Sequence, residues 1–320
     1  METWPPPTPN HWKVVGSSKS LSEIHIQLRG QEIPLIRIPK DALQMGKRLK
    51  PLLQVASVAS WRVGSKNPDL HFTIQLHDEN PGIETLRYDA AVNDQAVLLP
   101  DPYALGSHGY CLLRQSIRDY PLPNWRDRKP MAFWRGSSTG SKAITIKRIY
   151  RNNRFRLCQI SRQIPKSLDA RITDLVQYRD QDAKQELIEF LEKQGMLSER
   201  CLAQHFGLYQ YLIEIDGNVN SWGLLWKLLT GCCVLRVNSR RRQWYHHLLK
   251  EYENIVPVAE DLSDLHERLE WCRSHPNQCE EIGERGKLLA EAVISNLGRS
   301  VKLAVDSYFG YKSTRSFYCE

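Results

Sequence analysis

The run Arg135-Gly136-Ser137-Ser138-Thr139-Gly140-Ser141-Lys142 sets small residues between two cations, a composition suited to an anion. Small side chains let backbone N–H groups approach phosphate oxygens, while Arg135 and Lys142 supply charge. It is not a P-loop: Gly136 and Gly140 stand only four apart, so the G-x-x-x-x-G-K-[ST] order fails. A second segment, Ile215-Asp216-Gly217-Asn218-Val219-Asn220-Ser221, lies between two apolar runs. It reads as a strand end, a turn and the start of a helix capped by Asn220 or Ser221. Such a helix start leaves N–H groups and a positive dipole end for a pyrophosphate. For proton transfer the candidate is His77-Asp78-Glu79, where a carboxylate closing a strand can take the proton of an attacking hydroxyl.

Three further groupings carry metal-ligand residue types. Asp180-Gln181-Asp182 has the D-x-D form that holds a divalent ion in one class of sugar transferases. It directly precedes a helical stretch at 183–194, where acids complement the helix dipole. Cys272, His275 and Cys279 offer three soft ligands, and the spacing supplies no fourth. His246 and His247 are neighbours on opposite sides of a helix and cannot easily share one ion. No metal and no cofactor is therefore expected. The eight cysteines are scattered and read as reduced, mostly buried thiols of a cytoplasmic protein.

These residues need elements to hold them. The second half alternates strands at 209–215, 232–237 and 255–258 with helices at 221–230, 243–253 and 262–274, the last capped by Asp261. Short connections between them predict a parallel, doubly wound sheet with ligand at the carboxyl ends of its strands. A helical segment over 276–308 follows. In the first half, 33–38, 71–76 and 95–99 read as strands and 40–60 as a helix. The loops are Asn80-Pro81-Gly82 and Leu99-Pro100-Asp101-Pro102. The expected organisation is a Pro-rich peripheral head over 1–31 and an α/β lobe over 32–134. A Rossmann-like lobe over 135–290 follows, and a C-terminal helix and tail over 291–320 packs back on the first lobe. The fold class is α/β, two Rossmann-like lobes facing a cleft.

With 41% hydrophobic and 25% charged residues, the composition excludes a disordered, collagenous or coiled-coil chain. No apolar run reaches the roughly 18 residues of a bilayer span. The start, METWPPPTPNHWK, lacks a basic n-region followed by an apolar h-region, so no secretory signal is expected. The net charge of +8 equals the eight cations Lys142, Lys147, Arg148, Arg151, Arg154, Arg156, Arg162 and Lys166, which no acid interrupts. One local patch suits a polyanionic ligand, such as a sugar nucleotide or an anionic membrane surface, as well as it suits DNA. Its only aromatics are Tyr150 and Phe155, too few for a single-strand platform, so nucleic acid is not expected as a partner.

Several segments together resemble one family: WRGSSTG (134–140), SLDARITD (167–174), YQYLIEIDGNVNSWGLLWKLLTGCCVL (209–235), WYHHLLKEYENIVPVAEDLSDLHERLEW (244–271) and EEIGERG (280–286). Their order and content are similar to glycosyltransferase family 90, the group of capsule-associated, lipopolysaccharide-modifying and protein O-glucosyltransferases. The resemblance implies a GT-B fold and metal-independent, inverting transfer from a nucleotide-sugar donor, usually UDP-linked. The acceptor hydroxyl would belong to a surface glycan, a lipopolysaccharide-type molecule or a lipid-linked glycan. Carried onto this chain, it implies Asp78 as the catalytic base. Donor contacts fall on Arg135, Gly136, Ser137 and Lys142, and on Asn218, Val219, Asn220, Ser221, Trp222 and Gly223. The wall around sugar and acceptor falls on Asp101, Tyr103, Gly106 and Ser107.

This chain departs from the family pattern at two places: Gly223 and Ser138 stand where many members carry arginine. Lys142 or Lys227 is the expected substitute cation. The bacterial, surface-polysaccharide branch is the closer likeness, which places the protein in the cytoplasm and peripherally at the inner membrane face. Three competing readings remain: a metal-dependent transferase using Asp180 and Asp182, a nucleic-acid-binding protein, and a weak or inactive relative that only binds sugar nucleotide or glycan.

Overall fold

The computed structural model describes residues 13–16, 23–29, 35–64, 69–78 and 85–316. The chain divides into two units, Met1–Cys111 with Arg241–His247 and Val293–Glu320, and Leu112–Arg240 with Leu248–Ala292.

In the first unit β1 (Lys13–Gly16), β2 (Glu23–Arg29), β3 (Leu35–Ile38), β4 (Asp69–Gln75) and β5 (Thr85–Leu86) form one sheet in the order β1-β3-β2-β4-β5. The sheet is mixed, because β2 runs antiparallel to both β3 and β4. Alternation builds its apolar face: Ile24 and Ile26 of β2 and Phe72 and Ile74 of β4 are buried. Helix α1 (Gly46–Gly64) contributes buried Leu52, Val55, Ala56 and Ala59 to the core. The expected peripheral head therefore does not extend to residue 31. Residues 23–29 pair with β4 along their whole length, and the Ile24/Ile26 alternation is what buries them. The expected strand at 95–99 is reduced to a bridge between Leu98 and Arg87, because the Asp94 carboxylate turns the chain by accepting the Ala96 N–H. The Asn80-Pro81-Gly82 loop lies outside the described residues. Strand β6 (Ala90–Ala91) and the short helix α2 (Pro102–Gly106) complete this part, and α3 (Cys111–Asp119) leads out of it.

The second unit is built on β7 (Lys129–Ser137), β8 (Leu168–Asp174), β9 (Tyr209–Glu214), β10 (Cys233–Val237) and, after the two-residue β11 (Arg241–Arg242), β12 (Val256–Val258). Its sheet is parallel throughout, in the order β12-β10-β9-β7-β8. The strands are near-continuous apolar runs, as a sheet covered on both faces requires. Around them come α4 (Asn153–Gln163), α5 (Gln181–Lys193), α6 (Ala203–Phe206), α7 (Leu224–Leu228), α8 (Leu265–Ser274) and α9 (Pro276–Ser295). The boundary between units falls at 111/112 and not at 134/135, because β7 is hydrogen-bonded between β8 and β9 along the stretch assigned to the first lobe.

Local details also differ from expectation. The segment 243–253 forms a single 3-10 turn, His246–Leu248, and no helix. Just before it, β11 pairs with β6, held by the Arg241–Asp89 ion pair and by Arg242 donating to the Ala96 carbonyl. Helix α7 starts later than expected, with Gly223 at its cap position and no side-chain cap. Helix α8 begins after Asp264, because Asp261 spends its carboxylate on the Ser263 N–H and hydroxyl. The closing helical segment is two helices, α9 and α10 (Leu297–Ser316), and α10 groups with the first unit. Among the described residues no helix is long and apolar enough to cross a membrane.

Candidate functional site

The strand order of the second unit reverses beside β7. Strand β8 lies on one side of it and the later strands β9, β10 and β12 on the other. In open α/β sheets a ligand crevice opens at such a reversal, outside the carboxyl ends of the two strands. The two loops leaving those strands are the two segments singled out for anion chemistry, and they interlock. The Gly140 N–H donates to Asn218 Oδ1 at 3.0 Å. Gly217 lies so close to Thr139 that a Cβ on it would stand 2.4 Å from Oγ1, so only glycine fits there. Asn152, the N-cap of α4, donates to the carbonyls of Ser138 and Thr139 at 3.0 and 3.1 Å. Asp216 holds the second loop by accepting the Ser221 N–H at 3.0 Å and the Ser239 hydroxyl. Burial pushes the Asp216 carboxyl up, against the pull of those two donors. Ser137 and Gly136 end β7, Asn218 is exposed, and Val219 and Asn220 are buried. Ser221, Trp222 and Gly223 follow, half-buried.

Charge at this end is distributed differently from expectation. Arg135 turns into the fold, donating to Ser198 Oγ at 3.1 Å, to the carbonyls of Trp134 and Asp169, and to the Asp169 carboxylate at 2.8 Å. Its guanidinium also lies 4.3 Å over the Phe133 ring. The cation that joins the two loops is Arg154, which received no individual role from the sequence. It donates to the carbonyls of Ser137, Ile215 and Asp216 at 2.9, 3.1 and 3.0 Å. Burial pulls its guanidinium down, and the Glu214 and Asp216 carboxylates oppose that. Within the basic run it looked like one cation among eight; the signal that could have found it is its place two residues beyond the capping Asn152. Lys227 does not substitute for the missing arginines, because its ammonium is buried against Glu214 at 2.5 Å and the Ile213 carbonyl at 3.0 Å. Ser138 is buried and bonded to Val176 through both the Val176 carbonyl and N–H. Lys142 is exposed beyond the loop.

The remaining candidates lie in the first unit. Arg48 grips both oxygens of Asp78, at 2.7 and 3.3 Å, and touches the Tyr88 hydroxyl at 3.3 Å. Tyr88 in turn donates to the Leu76 carbonyl, and burial raises its phenol above the ordinary range. Neither Arg48 nor Tyr88 was singled out from the sequence. Asp101 is the N-cap of α2, accepting the N–H groups of Tyr103 and Ala104 at 2.9 Å each. Burial pushes its carboxyl up to about 7 despite those two donors. Tyr103 is exposed, Gly106 ends α2, and Ser107 takes its C-cap position.

The D-x-D pair serves its helix: Asp180 caps α5 by accepting the Ala183 N–H at 2.8 Å and pairs with Arg179. A groove of about 1140 Å³ beside Tyr120, Trp125, Arg128, Thr230 and Glu284 lies elsewhere in the second unit. It borders the residues that precede β7 and β10, at the amino ends of the strands, and holds none of the candidates.

Protein 179R of Invertebrate iridescent virus 6 is 34% identical over 112 residues, 33% of this chain and 9% of that protein. Human protein O-glucosyltransferase 3 is 26% identical over 181 residues, covering 56% of this chain and 31% of that enzyme. The chain thus spans well under half the length of these curated relatives. Among solved structures, Anabaena Alr3699/HepE in complex with UDP-glucose superposes on 61% of this chain and 52% of its own, at 12% identity and a TM-score of 0.41. The family model of glycosyl transferase family 90 matches residues 109–296. Because that match runs over more than half of the chain and takes in both interlocked loops, the chain belongs to glycosyl transferase family 90.

Proposed function

We propose that this chain is a glycosyltransferase that takes a sugar from a nucleotide-sugar donor, with the donor diphosphate at the loops after β7 and β9. The observation that carries the reading is the coincidence of those loops with the reversal of strand order beside β7. In this reading backbone N–H groups of the loops and the exposed cation Lys142 take the leaving phosphates, while Arg154 and Asn152 hold the loops in place. The relatives' names favour a UDP-linked glucose donor and a protein hydroxyl as acceptor. A glycan or lipid-linked glycan hydroxyl is the acceptor implied by the bacterial branch.

The reaction we infer is inverting and metal-independent. Asp78 takes the acceptor proton as the hydroxyl attacks the anomeric carbon in line, and the nucleoside diphosphate leaves. In support, Asp180 is occupied by its capping and Arg179 bonds, so a divalent ion would have to displace both. Activity should persist in EDTA. The exposed cations Lys147, Arg148, Arg151, Arg162 and Lys166 suit an anionic membrane surface, with binding to anionic but not neutral vesicles at low salt.

The deciding experiment is a thermal-shift series with nucleotide sugars, since a ligand that binds only the folded state raises the apparent midpoint. UDP-sugars should raise it in the native protein and fail to do so in Gly217→Ala, where the added methyl forces the loops apart. A shift unchanged in Gly217→Ala would remove the donor from these loops. Binding without turnover against an acceptor panel would favour the inactive relative, a reading that Gly223 and Ser138 keep in play.

A further inference from the structure

We propose that the second unit carries a buried thiolate site for a thiophilic d10 cation, Zn²⁺ or Cu(I), formed by Cys233, Cys272 and Cys279. Their three sulfurs lie within 4.8 Å of one another, and all three residues are fully buried. The sequence spacing pointed to Cys272, His275 and Cys279. The fold instead stacks the His275 ring on Trp271, ties its Nδ1 to the Trp271 carbonyl and brings in Cys233 from β10, a residue about forty positions away.

Packing makes the cluster. Gly283 of α9 lies against the chain entering β10, where a Cβ would stand 2.4 Å from the Gly231 carbonyl oxygen. That close approach sets Cys279, one turn earlier on α9, beside Cys233. The Tyr211 hydroxyl donates to the Cys272 carbonyl at 3.2 Å and fixes the end of α8 over the same spot. Metal–sulfur bonds of about 2.3 Å place thiolates about 3.8 Å apart, so closure needs a contraction of about 1 Å at most. Soft thiolate ligands select Cu(I) and Zn²⁺ over harder ions. Binding releases the three thiol protons to solvent. The site sits at the amino end of β10, opposite the candidate donor loops, so its role is to join β10, α8 and α9.

The test uses the whole chain, reduced and stripped of metal, titrated separately with Co²⁺ as a zinc stand-in and with Cu(I). One ion per chain should bind with a thiolate-to-metal charge-transfer band. Alkylation mapped by mass spectrometry should show Cys233, Cys272 and Cys279 protected by the ion. Cys279→Ser should abolish the band and Cys232→Ser, its buried neighbour in sequence, should keep it. If three-coordinate Cu(I) is the ion, the Cu(I) arm saturates first and His275→Ala has no effect. If zinc is the ion, a fourth donor completes the shell and the Co²⁺ arm saturates. Absence of any band, or equal alkylation of the three cysteines with and without metal, overturns the proposal, and the wild-type map decides this even where the serine variant fails to fold.

Discussion

Two charged pairs, one in each unit, show how burial separates charge that builds a site from charge that can act in one. In the second unit Lys227 and Glu214 meet at 2.5 Å with side chains only 5% and 4% exposed. In the first, Arg48 and Asp78 meet at 2.7 Å with 22% and 24% exposed. An enclosed pair is fixed, because neither partner can leave without stranding the other's charge in a low-dielectric interior. A partly exposed pair leaves its carboxylate reachable by a hydroxyl. Lys227 was, with Lys142, one of two expected substitute phosphate cations, and its burial against Glu214 removes it from that role, while Arg48 carried no expectation at all.

The widest separation between the two pairs is expected in turnover. Asp78→Asn keeps size and one of the two acceptor oxygens that Arg48 grips but removes basicity, and should lower turnover about 100- to 10,000-fold with donor affinity little changed. Near-native turnover in that variant would reduce the Arg48–Asp78 pair to a structural contact. The stability of the second pair comes next. Lys227→Met leaves the Glu214 carboxylate buried without its cation, at a cost of about 3–5 kcal/mol in urea unfolding. Adding Glu214→Gln to that variant should recover much of the loss, and a double variant as unstable as the single one would show that the damage is one of shape. Arg48→Met at the more exposed pair should cost only about 1 kcal/mol. Equal costs at the two sites would erase the contrast.

A smaller effect tests burial through pH. The native Asp101 carboxyl stands at about 7 and the unfolded one near the ordinary value of about 3.9. Between those values the native state binds more protons, so this group's contribution to stability falls as pH rises and is level above about 7. Asp101→Asn keeps an acceptor for the α2 N–H groups and removes the titration. Relative to the native protein, the variant should gain about 1–3 kcal/mol of stability between pH 5 and pH 8. A difference that does not change with pH would mean that Asp101 is already ionised when buried.

Legibility followed the same division. The second unit's strands at 209–214 and 233–237 were readable because a parallel sheet covered on both faces demands unbroken apolar runs. The first unit's β2 was not, since its seven residues alternate Ile24 and Ile26 with polar neighbours and follow a Pro-rich start. The two loops at 137–140 and 216–221 were also readable, because small residues between an apolar strand and a helix are a local requirement of that turn. Arg154 as their link, Arg135 as a fold contact and Lys227 as a buried ion were not, because a long cation's partners are chosen by whatever packs around it.

The sequence by itself determined the α/β class, the family and the loops that take the candidate donor role. All of these rest on local patterns of apolar period, glycine placement and motif order. Tertiary structure alone decided the reversal beside β7, the partners of Arg48, Arg154 and Lys227, and the meeting of Cys233 with Cys272 and Cys279. Each of these joins residues far apart in the chain. Strand order and close helix approach bring them together, and neither is written in the spacing of neighbours.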